Sequence, residues 1–407
     1  MLLYTLFLLT VPLVLSYTIH QLPLDQVDRD IPPSPFPWIH HFASIGDSYS
    51  AGLGAGPRLD WHCSRYADSH PNLLHTSLLG HHPARTHQFL ACSGQTSAEI
   101  LATQIPALEE GVDVLTVSAG GNDVGLSPVL SSCVYQFYMG GEGECREAMG
   151  EARARIEDRS QLYGNVAGLL DAVRPKMRRD GRGVVYVTGY ATFFGEEDEG
   201  CDDVTWAVWR AVERQGQKQY LTRRMRREMN ELVKGVNGVL RRVVEDFNSE
   251  EGGTVARFVD YDERIASSRG RFCEEGVQEP APNRKELAFY EWDTVDPGDN
   301  ATSLLHQTGE DVRRGSFEGG VAELVGRTLE EHPEWEFDGG MGWVNKTKGR
   351  EVRGEDLLGD TVHWLLPDSW KRVFHLRPGA QGVVARMVAE DLKELGRERR
   401  EVEQGEL

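Results

Sequence analysis

The chain has 407 residues, of which 40% are hydrophobic, and its formal net charge at pH 7 is −20. This length can bury a sizeable core, in one large domain or in about two to three small ones. The acidic balance argues against a nucleic-acid partner or a polybasic membrane face, because both need clustered positive charge. A chain of this charge suits a soluble secreted protein.

An apolar stretch runs from Leu2 to Leu15 at the start of the chain. It is too short to cross a bilayer, and Ser16 resembles the small residue of a cleavage site. We therefore predict a signal peptide over residues 1–16 and a secreted, extracellular protein. The leader has no Lys or Arg, so an uncleaved anchor or a buried N-terminal segment is the alternative. No other run predicts a membrane span.

Two further features agree with export. Asn300 and Asn345 each begin an N-glycosylation sequon. The six cysteines form no C-x-x-C pair, which argues against zinc ribbons and redox motifs. We expect three disulfides in an oxidising compartment, and spacing alone leaves about 15 pairings open.

A proline-rich segment follows the leader and predicts a linker over residues 17–37. Several short apolar runs then end in turn residues: IHHFASIGDS, HQFLACSG, VDVLTVSAGGND, GVVYVTGY and ARFVDYDE. Segments with helical periodicity lie between them. Strands that alternate with helices predict βαβ units around a parallel sheet, here within a domain of residues 38–395.

The longest helical pattern lies in YLTRRMRREMNELVKGVNGVLRRVVEDF. Its apolar residues recur every three to four positions, at Leu221, Met225, Met229, Leu232 and Val236. This spacing predicts one buried face, with the arginines on a solvated face rather than in an anion site.

The last third of the chain has a looser pattern. Periodicity is weak over residues 274–356, where we predict a loop-rich insertion; partial disorder is the alternative. Tryptophans in this part of the chain could line a pocket, although packing is the commoner role. Residues 396–407 are strongly charged and predict a tail that frays.

The stretch SIGDSYSAG places Ser48 directly after the first strand run, with glycines that permit a tight turn. Side chains at the carboxyl ends of parallel strands gather in one crevice. A serine there becomes a nucleophile if a base accepts its proton and donors stabilise an oxyanion. Gly94 in ACSGQTS and Asn122 in SAGGNDVG supply such donors after later strand runs, and His375 in WKRVFHLRPGAQG supplies a base.

These blocks, in this order, resemble the SGNH hydrolases, also called the GDSL esterase and lipase family. The surrounding sequence resembles the secreted lipase-like branch, over most of residues 39–392. The resemblance implies a three-layer α/β/α sandwich with a flavodoxin-like parallel sheet. It also implies sequential disulfides, which would join Cys63 to Cys92, Cys133 to Cys145 and Cys201 to Cys273.

The resemblance also implies a role for each matched residue. Ser48 would attack an ester carbonyl, and the main-chain N–H groups of Ser48 and Gly94 and the Asn122 amide would form the oxyanion hole. His375 would accept the Ser48 proton and later protonate the leaving alcohol.

One position departs from the family pattern. Members often carry Asp three residues before the His, but here that residue is Arg372. The Arg372 main-chain carbonyl or the Asp368 side chain could orient the imidazole instead. The literal D-x-x-H spacing occurs at Asp360, which makes His363 an alternative base. We prefer His375 because the sequence after it resembles the family's last block.

The residues of the predicted site also have simpler structural interpretations. A serine beside Asp and Gly is most often a turn or N-cap residue, and Asp47 and Asp123 are expected to brace turns.

Eight of the 13 histidines lie between His40 and His87. They lack metal-ligand spacing, so we expect scattered surface histidines and no metal.

The sequence therefore predicts a secreted serine esterase or lipase, a monomer without metal or organic cofactor. Its partner would be a small-molecule, lipid or glycan ester, hydrolysed through an acyl-enzyme. A carbohydrate acetylesterase is the nearest enzymatic alternative. An inactive descendant that binds a lipid or glycan is the alternative from another class.

Overall fold

The computed structural model describes residues 34–60, 62–134, 142–206, 218–250, 253–291, 294–295, 335–338, 342–345, 350–351 and 372–404. The predicted signal peptide, most of the predicted linker and Asn300 lie outside these ranges.

Ten strands occur in the described residues. They are β1 (His41–Gly46), β2 (Arg58–Asp60), β3 (Arg65–Tyr66), β4 (Thr86–Phe89), β5 (Val114–Ser118), β6 (Val184–Thr188), β7 (Val255–Val259), β8 (Trp335–Asp338), β9 (Gly342–Asn345) and β10 (Arg350–Glu351). The main sheet is parallel and has the order β4-β1-β5-β6-β7. All five predicted strand runs therefore enter one sheet.

The helices of the described residues are α1 (Ser48–Ala51), α2 (His70–Leu73), α3 (Ser97–Ala107), α4 (Leu126–Val129), α5 (Glu142–Glu157), α6 (Gly164–Val173), α7 (Arg223–Ser249), α8 (Asp262–Ser267) and α9 (Pro378–Gln404). Short π-helical turns follow α2 and α4 and precede α6, and short 3₁₀ turns occupy Arg174–Lys176 and Glu199–Cys201. Helices α3, α6 and α7 pack in one group, and α2 packs with α9. The predicted three-layer α/β/α fold is confirmed.

The strand order fixes where the crevice lies. The chain moves from β1 outward to β4 and then returns to β5 on the other side of β1. In flavodoxin-like sheets this reversal opens a crevice at the carboxyl ends of the two strands that flank it. Residues that follow β1 and β5 therefore meet. Both strands are almost wholly buried, as expected for parallel strands covered on both faces.

Helix α7 confirms the predicted apolar face, since Met225, Met229, Leu232 and Val236 are buried. The prediction that its arginines are solvated is wrong for Arg226, which is fully buried. Its guanidinium donates to three main-chain oxygens and lies 2.8 Å from an Asp202 carboxylate oxygen. The Gly195 and Asp198 oxygens and the Asp202 carboxylate come from another segment, so helical spacing could not reveal them.

The folded region starts earlier than predicted. Ser34 and Phe36 are buried, although we assigned them to the linker. The Arg85 guanidinium donates to the Ser34 hydroxyl at 2.9 Å and to the Phe36 main-chain oxygen at 3.0 Å. At the other end, residues 396–404 continue α9, and Arg399 stacks on Trp38. These charged residues continue the helix as far as Gln404.

The first part of the predicted insertion packs against the chain that precedes α9. Phe289 and Tyr290 are buried and form β-bridges with Leu376 and Val373. The two ends of the intervening chain also meet, since Arg372 Nη2 donates to the Thr294 main-chain oxygen at 2.7 Å. Strands β8, β9 and β10, which belong to this insertion, form a separate antiparallel sheet.

Three disulfides cross-link the fold: Cys63–Cys92, Cys133–Cys145 and Cys201–Cys273. This is the pairing that the family resemblance implied. Within the described ranges, no helix has both the length and the apolar character to cross a membrane.

Candidate active site

Ser48 lies at the first turn after β1. Gly46 ends the strand with φ +133°, and a Cβ there would lie 2.4 Å from the Ser118 main-chain oxygen, so only glycine fits. Asp47 is the N-cap of α1 and accepts a hydrogen bond from the Tyr49 N–H. Ser48 is therefore held at the start of a one-turn helix, at the carboxyl end of the central strand.

Asp47 braces this turn, as predicted. Its carboxylate accepts from the Ser118 hydroxyl and the Tyr190 hydroxyl, both at 2.9 Å, in addition to the Tyr49 N–H. Burial raises the pKa of Asp47 to about 6, against the lowering effect of these bonds. The Tyr190 hydroxyl also accepts from the Gly121 N–H at 3.0 Å. The turn after β1 is thus joined to the turn after β5.

Gly94 and Asn122 lie at neighbouring strand ends. Gly94 has φ +88°, a left-handed conformation that favours glycine, and follows Cys92 beyond β4. Asn122 follows β5, and its side-chain amide donates to the Gln95 main-chain oxygen at 2.8 Å. This bond ties the two segments together and leaves the second amide N–H of Asn122 for another acceptor. Among the described residues, no acceptor faces the main-chain N–H of Ser48 or Gly94.

Asp123 also braces its surroundings, as predicted. Its carboxylate accepts from the Ser97 N–H at 3.0 Å, from the Ser97 hydroxyl at 2.9 Å and from the Asn165 amide at 3.1 Å. Asp123 therefore fixes the start of α3 beside the turn that carries Asn122. None of these three bonds involves the imidazole of His375.

Gln104 supports the same region, and the sequence analysis missed it. Its side-chain amide exchanges hydrogen bonds with the Gly46 main chain, at 2.8 and 2.9 Å, and donates to the Gln95 side chain at 2.7 Å. It is buried on α3, four residues after buried Ile100. A polar residue at a buried position of an amphipathic helix was the signal that could have revealed it.

His375 faces Ser48 across the crevice. Its Nε2 lies 2.6 Å from the Ser48 Oγ, and its Nδ1 lies 3.2 Å from the Val373 main-chain oxygen. An imidazole with the proton on Nδ1 satisfies both contacts, since Nδ1 then donates to the carbonyl and Nε2 accepts from the hydroxyl. This is the arrangement of a nucleophile and a general base.

The Arg372 main-chain carbonyl, which was expected to orient the imidazole, does not face its Nδ1. The Arg372 main-chain oxygen accepts from the His375 main-chain N–H at 2.8 Å, and the carbonyl that faces the imidazole belongs to Val373. Expecting the Arg372 carbonyl at the ring was therefore wrong by one residue, because the turn directs that carbonyl to the backbone. Asp368 and the alternative base His363 lie outside the described residues.

Of the histidines expected at the surface, His70 is buried and His87 is half-buried. His70 contacts the Gln381 side chain, and burial lowers the pKa of His70 to about 4. His87 stacks between Phe42 and Phe89, and burial lowers its pKa to about 3. These rings are therefore neutral packing residues near neutral pH.

The chain is similar to known proteins. The family of GDSL-like lipases and acylhydrolases matches residues 44–265, which include Ser48, Gly94 and Asn122. Lipase 1 of Streptomyces coelicolor and a lipase of Streptomyces rimosus are each 32% identical over 155 residues. That alignment covers 38% of this chain and 53% of each relative, so it spans about half the length of these curated relatives.

Two solved structures are also similar. The extracellular lipase of Streptomyces rimosus is 26% identical with a TM-score of 0.44, over 58% of this chain and 85% of that one. Phospholipase A1 of Streptomyces albidoflavus is 24% identical with a TM-score of 0.42, over 56% and 81%.

The family match over residues 44–265 identifies the class of protein as the SGNH hydrolases. The chain belongs to the GDSL-like lipase and acylhydrolase family, a family of carboxylic ester hydrolases.

Proposed function

We propose that this protein is a secreted serine esterase that hydrolyses carboxylic esters through an acyl-enzyme. The observation that carries the proposal is the 2.6 Å contact between the Ser48 Oγ and the His375 Nε2 at the carboxyl ends of the central strands. The contact supplies the base that a serine nucleophile needs, and its place at the crevice distinguishes it from the Ser44–His87 contact within the sheet.

In the proposed reaction the Ser48 Oγ attacks the ester carbonyl carbon while His375 Nε2 takes the hydroxyl proton. The carbonyl oxygen becomes an oxyanion, which the Ser48 and Gly94 N–H groups and the Asn122 amide stabilise. Collapse of this intermediate breaks the bond to the alcohol, which leaves with the proton from His375. Water then attacks the acyl-enzyme by the same route and releases the acid.

The Val373 carbonyl takes the place of a carboxylate beside the base. It accepts from Nδ1, so it fixes the tautomer that leaves Nε2 free to receive the Ser48 proton. A carbonyl dipole stabilises the imidazolium less than a full negative charge does. The oxyanion hole therefore supplies a larger share of the transition-state stabilisation in this site.

An apolar cavity beside Gly121 supports a hydrophobic acyl group. Gly121 directly precedes the oxyanion donor Asn122. The cavity is lined mainly by aliphatic and aromatic side chains, among them Val124, Leu126, Phe193, Met229 and Leu232. The cavity volume is about 30 Å³, so it admits only a small apolar group next to the proposed oxyanion hole. The preference for lipid-like esters over acetylated carbohydrate therefore rests on the similarity of this chain to two Streptomyces lipases.

Secretion is part of the proposal. Three disulfides among six cysteines support it, because such bonds persist in oxidising compartments and are rare in the cytosol. The acidic net charge agrees with a soluble extracellular enzyme. Glycosylation at Asn300 and Asn345 and a monomeric state belong to the same proposal.

The test is hydrolysis of p-nitrophenyl acetate, butyrate and octanoate by the wild type, by Ser48→Ala and by Ser50→Ala. Ser50 is a matched control, since it is buried in the same turn of α1. We expect turnover in the wild type and Ser50→Ala, none in Ser48→Ala, and preference for the longer chains. Preference for acetate would favour an acetylesterase. No turnover by folded wild type would favour a binding protein without activity.

A further inference from the structure

Tyr49 contacts both segments that form the proposed catalytic pair. It directly follows Ser48 in α1 and is buried. Its hydroxyl donates to the Phe374 main-chain oxygen at 2.8 Å, one residue before the base. Its ring centroid lies 5.1 Å from that of the His375 imidazole. One side chain therefore connects the nucleophile turn to the loop of the base.

Phe374 has an unusual backbone conformation. Its φ of +65° lies in the left-handed region, which a residue with a Cβ rarely adopts. Two hydrogen bonds hold its peptide groups: the Phe374 N–H donates to the Tyr290 main-chain oxygen at 2.8 Å, and the Tyr49 hydroxyl donates to the Phe374 carbonyl. The Phe374 ring is buried against Phe193 and Phe272.

The orientation of the base depends on this turn. The acceptor for the His375 Nδ1 is the Val373 carbonyl, which lies on the other side of Phe374. Because that acceptor belongs to the main chain, the angle between the carbonyl and the imidazole follows from the backbone of Phe374. A bond that fixes the Phe374 peptide therefore also fixes the imidazole.

We propose that Tyr49 is a positioning residue for the ester hydrolysis proposed above, on which this inference rests. Its hydroxyl holds the Phe374 carbonyl and keeps the left-handed turn closed. The closed turn then keeps His375 Nε2 at hydrogen-bond distance from the Ser48 Oγ. Tyr49 does not touch the reacting atoms; it acts through the imidazole.

The experiment compares wild type, Tyr49→Phe and Tyr186→Phe with a p-nitrophenyl ester. Tyr186→Phe is the control, because it also removes a buried tyrosine hydroxyl bond, to the Asp391 carboxylate at 2.6 Å, away from the site. We expect Tyr49→Phe to lower kcat about 10- to 100-fold, since small displacements of catalytic groups cost this much. KM should change less than about twofold. Tyr186→Phe should keep the wild-type kcat at a similar loss of Tm.

Two further measurements separate positioning from folding. p-Aminophenylalanine at position 49 keeps a donor of similar shape, so we expect it to restore kcat, and it serves as the folded variant if Tyr49→Phe accumulates poorly. In a His375→Ala background, Tyr49→Phe should change the residual rate little, because its effect passes through the imidazole.

Wild-type kcat in Tyr49→Phe would overturn the inference, as would an equal loss in the wild-type and His375→Ala backgrounds. A low kcat in folded protein with p-aminophenylalanine at position 49 would also overturn it. All three results leave the proposed function intact, provided that the wild type turns over. No turnover by the wild type would overturn the proposed function and this inference with it.

Discussion

His375 Nε2 and Ser48 Oγ lie 2.6 Å apart although 327 positions separate them in the sequence. If this pair performs the chemistry, a fluorophosphonate should label Ser48, and His375→Ala should abolish labelling and lower kcat by a factor of about 10⁶. His363→Ala is the matched control and should label like the wild type. Peptide mass spectrometry identifies the labelled residue in the wild type and in each variant. Labelling that depends on His363 instead would assign the base to the D-x-x-H segment.

Asn122 should matter for turnover more than for binding. Asn122→Ala removes one proposed oxyanion donor and should lower kcat by about 10²- to 10³-fold, with KM nearly unchanged. Asn165→Ala is the control, because it removes a nearby side-chain amide whose described bond goes to Asp123. Steady-state kinetics with one ester substrate measures both variants. Equal effects of the two substitutions would argue against a specific role for Asn122.

The buried Asp47 carboxyl should leave a signature in the pH dependence of stability. Its pKa is raised from 3.8 to about 6 by burial, so the folded protein binds this proton more tightly than the unfolded chain. The contribution of Asp47 to the free energy of unfolding therefore falls as pH rises from about 4 to 6, by on the order of 3 kcal/mol. Asp47→Asn should remove this fall, which urea unfolding at several pH values measures. An identical pH profile in the variant would contradict the prediction.

His87 should have the opposite effect. Burial lowers its pKa from 6.5 to about 3, so the unfolded chain takes up this proton first as pH falls. The free energy of unfolding should therefore decrease from about pH 6.5 downward. His87→Phe keeps the stacking on Phe42 but cannot titrate, and it leaves the Ser44 hydroxyl without its ring partner. We expect lower stability at neutral pH and a shallower loss on acidification in urea unfolding; a slope as steep as that of the wild type would exclude His87 as the source.

The strands and the residues that follow them could be predicted from the sequence because local patterns carry the information. Apolar runs that lead into glycine-containing turns identify β1 and β5, and Ser48 and Asn122 lie two and four residues beyond these strands. The Val373 carbonyl could not be predicted, because every residue has a carbonyl and its direction here depends on the left-handed turn at Phe374.

Other features depend on contacts between distant segments. Arg226 is buried because carbonyl groups from outside α7 satisfy its guanidinium, and helical periodicity does not report such partners. Tyr190 joins the Asp47 and Gly121 turns through its hydroxyl only once β6 lies beside β5. The sequence pattern gives neither pairing.

The hydrogen bond from Arg372 to the Thr294 carbonyl has a consequence for how this protein can diversify. Thr294 and Arg372 are 78 positions apart in the sequence, and these two points touch. Closing a loop between neighbouring ends costs only slightly more as the loop lengthens. A change in the length of the chain between Thr294 and Arg372 therefore adds little closure cost, and the bond between these two residues holds the approach to Phe374 and His375.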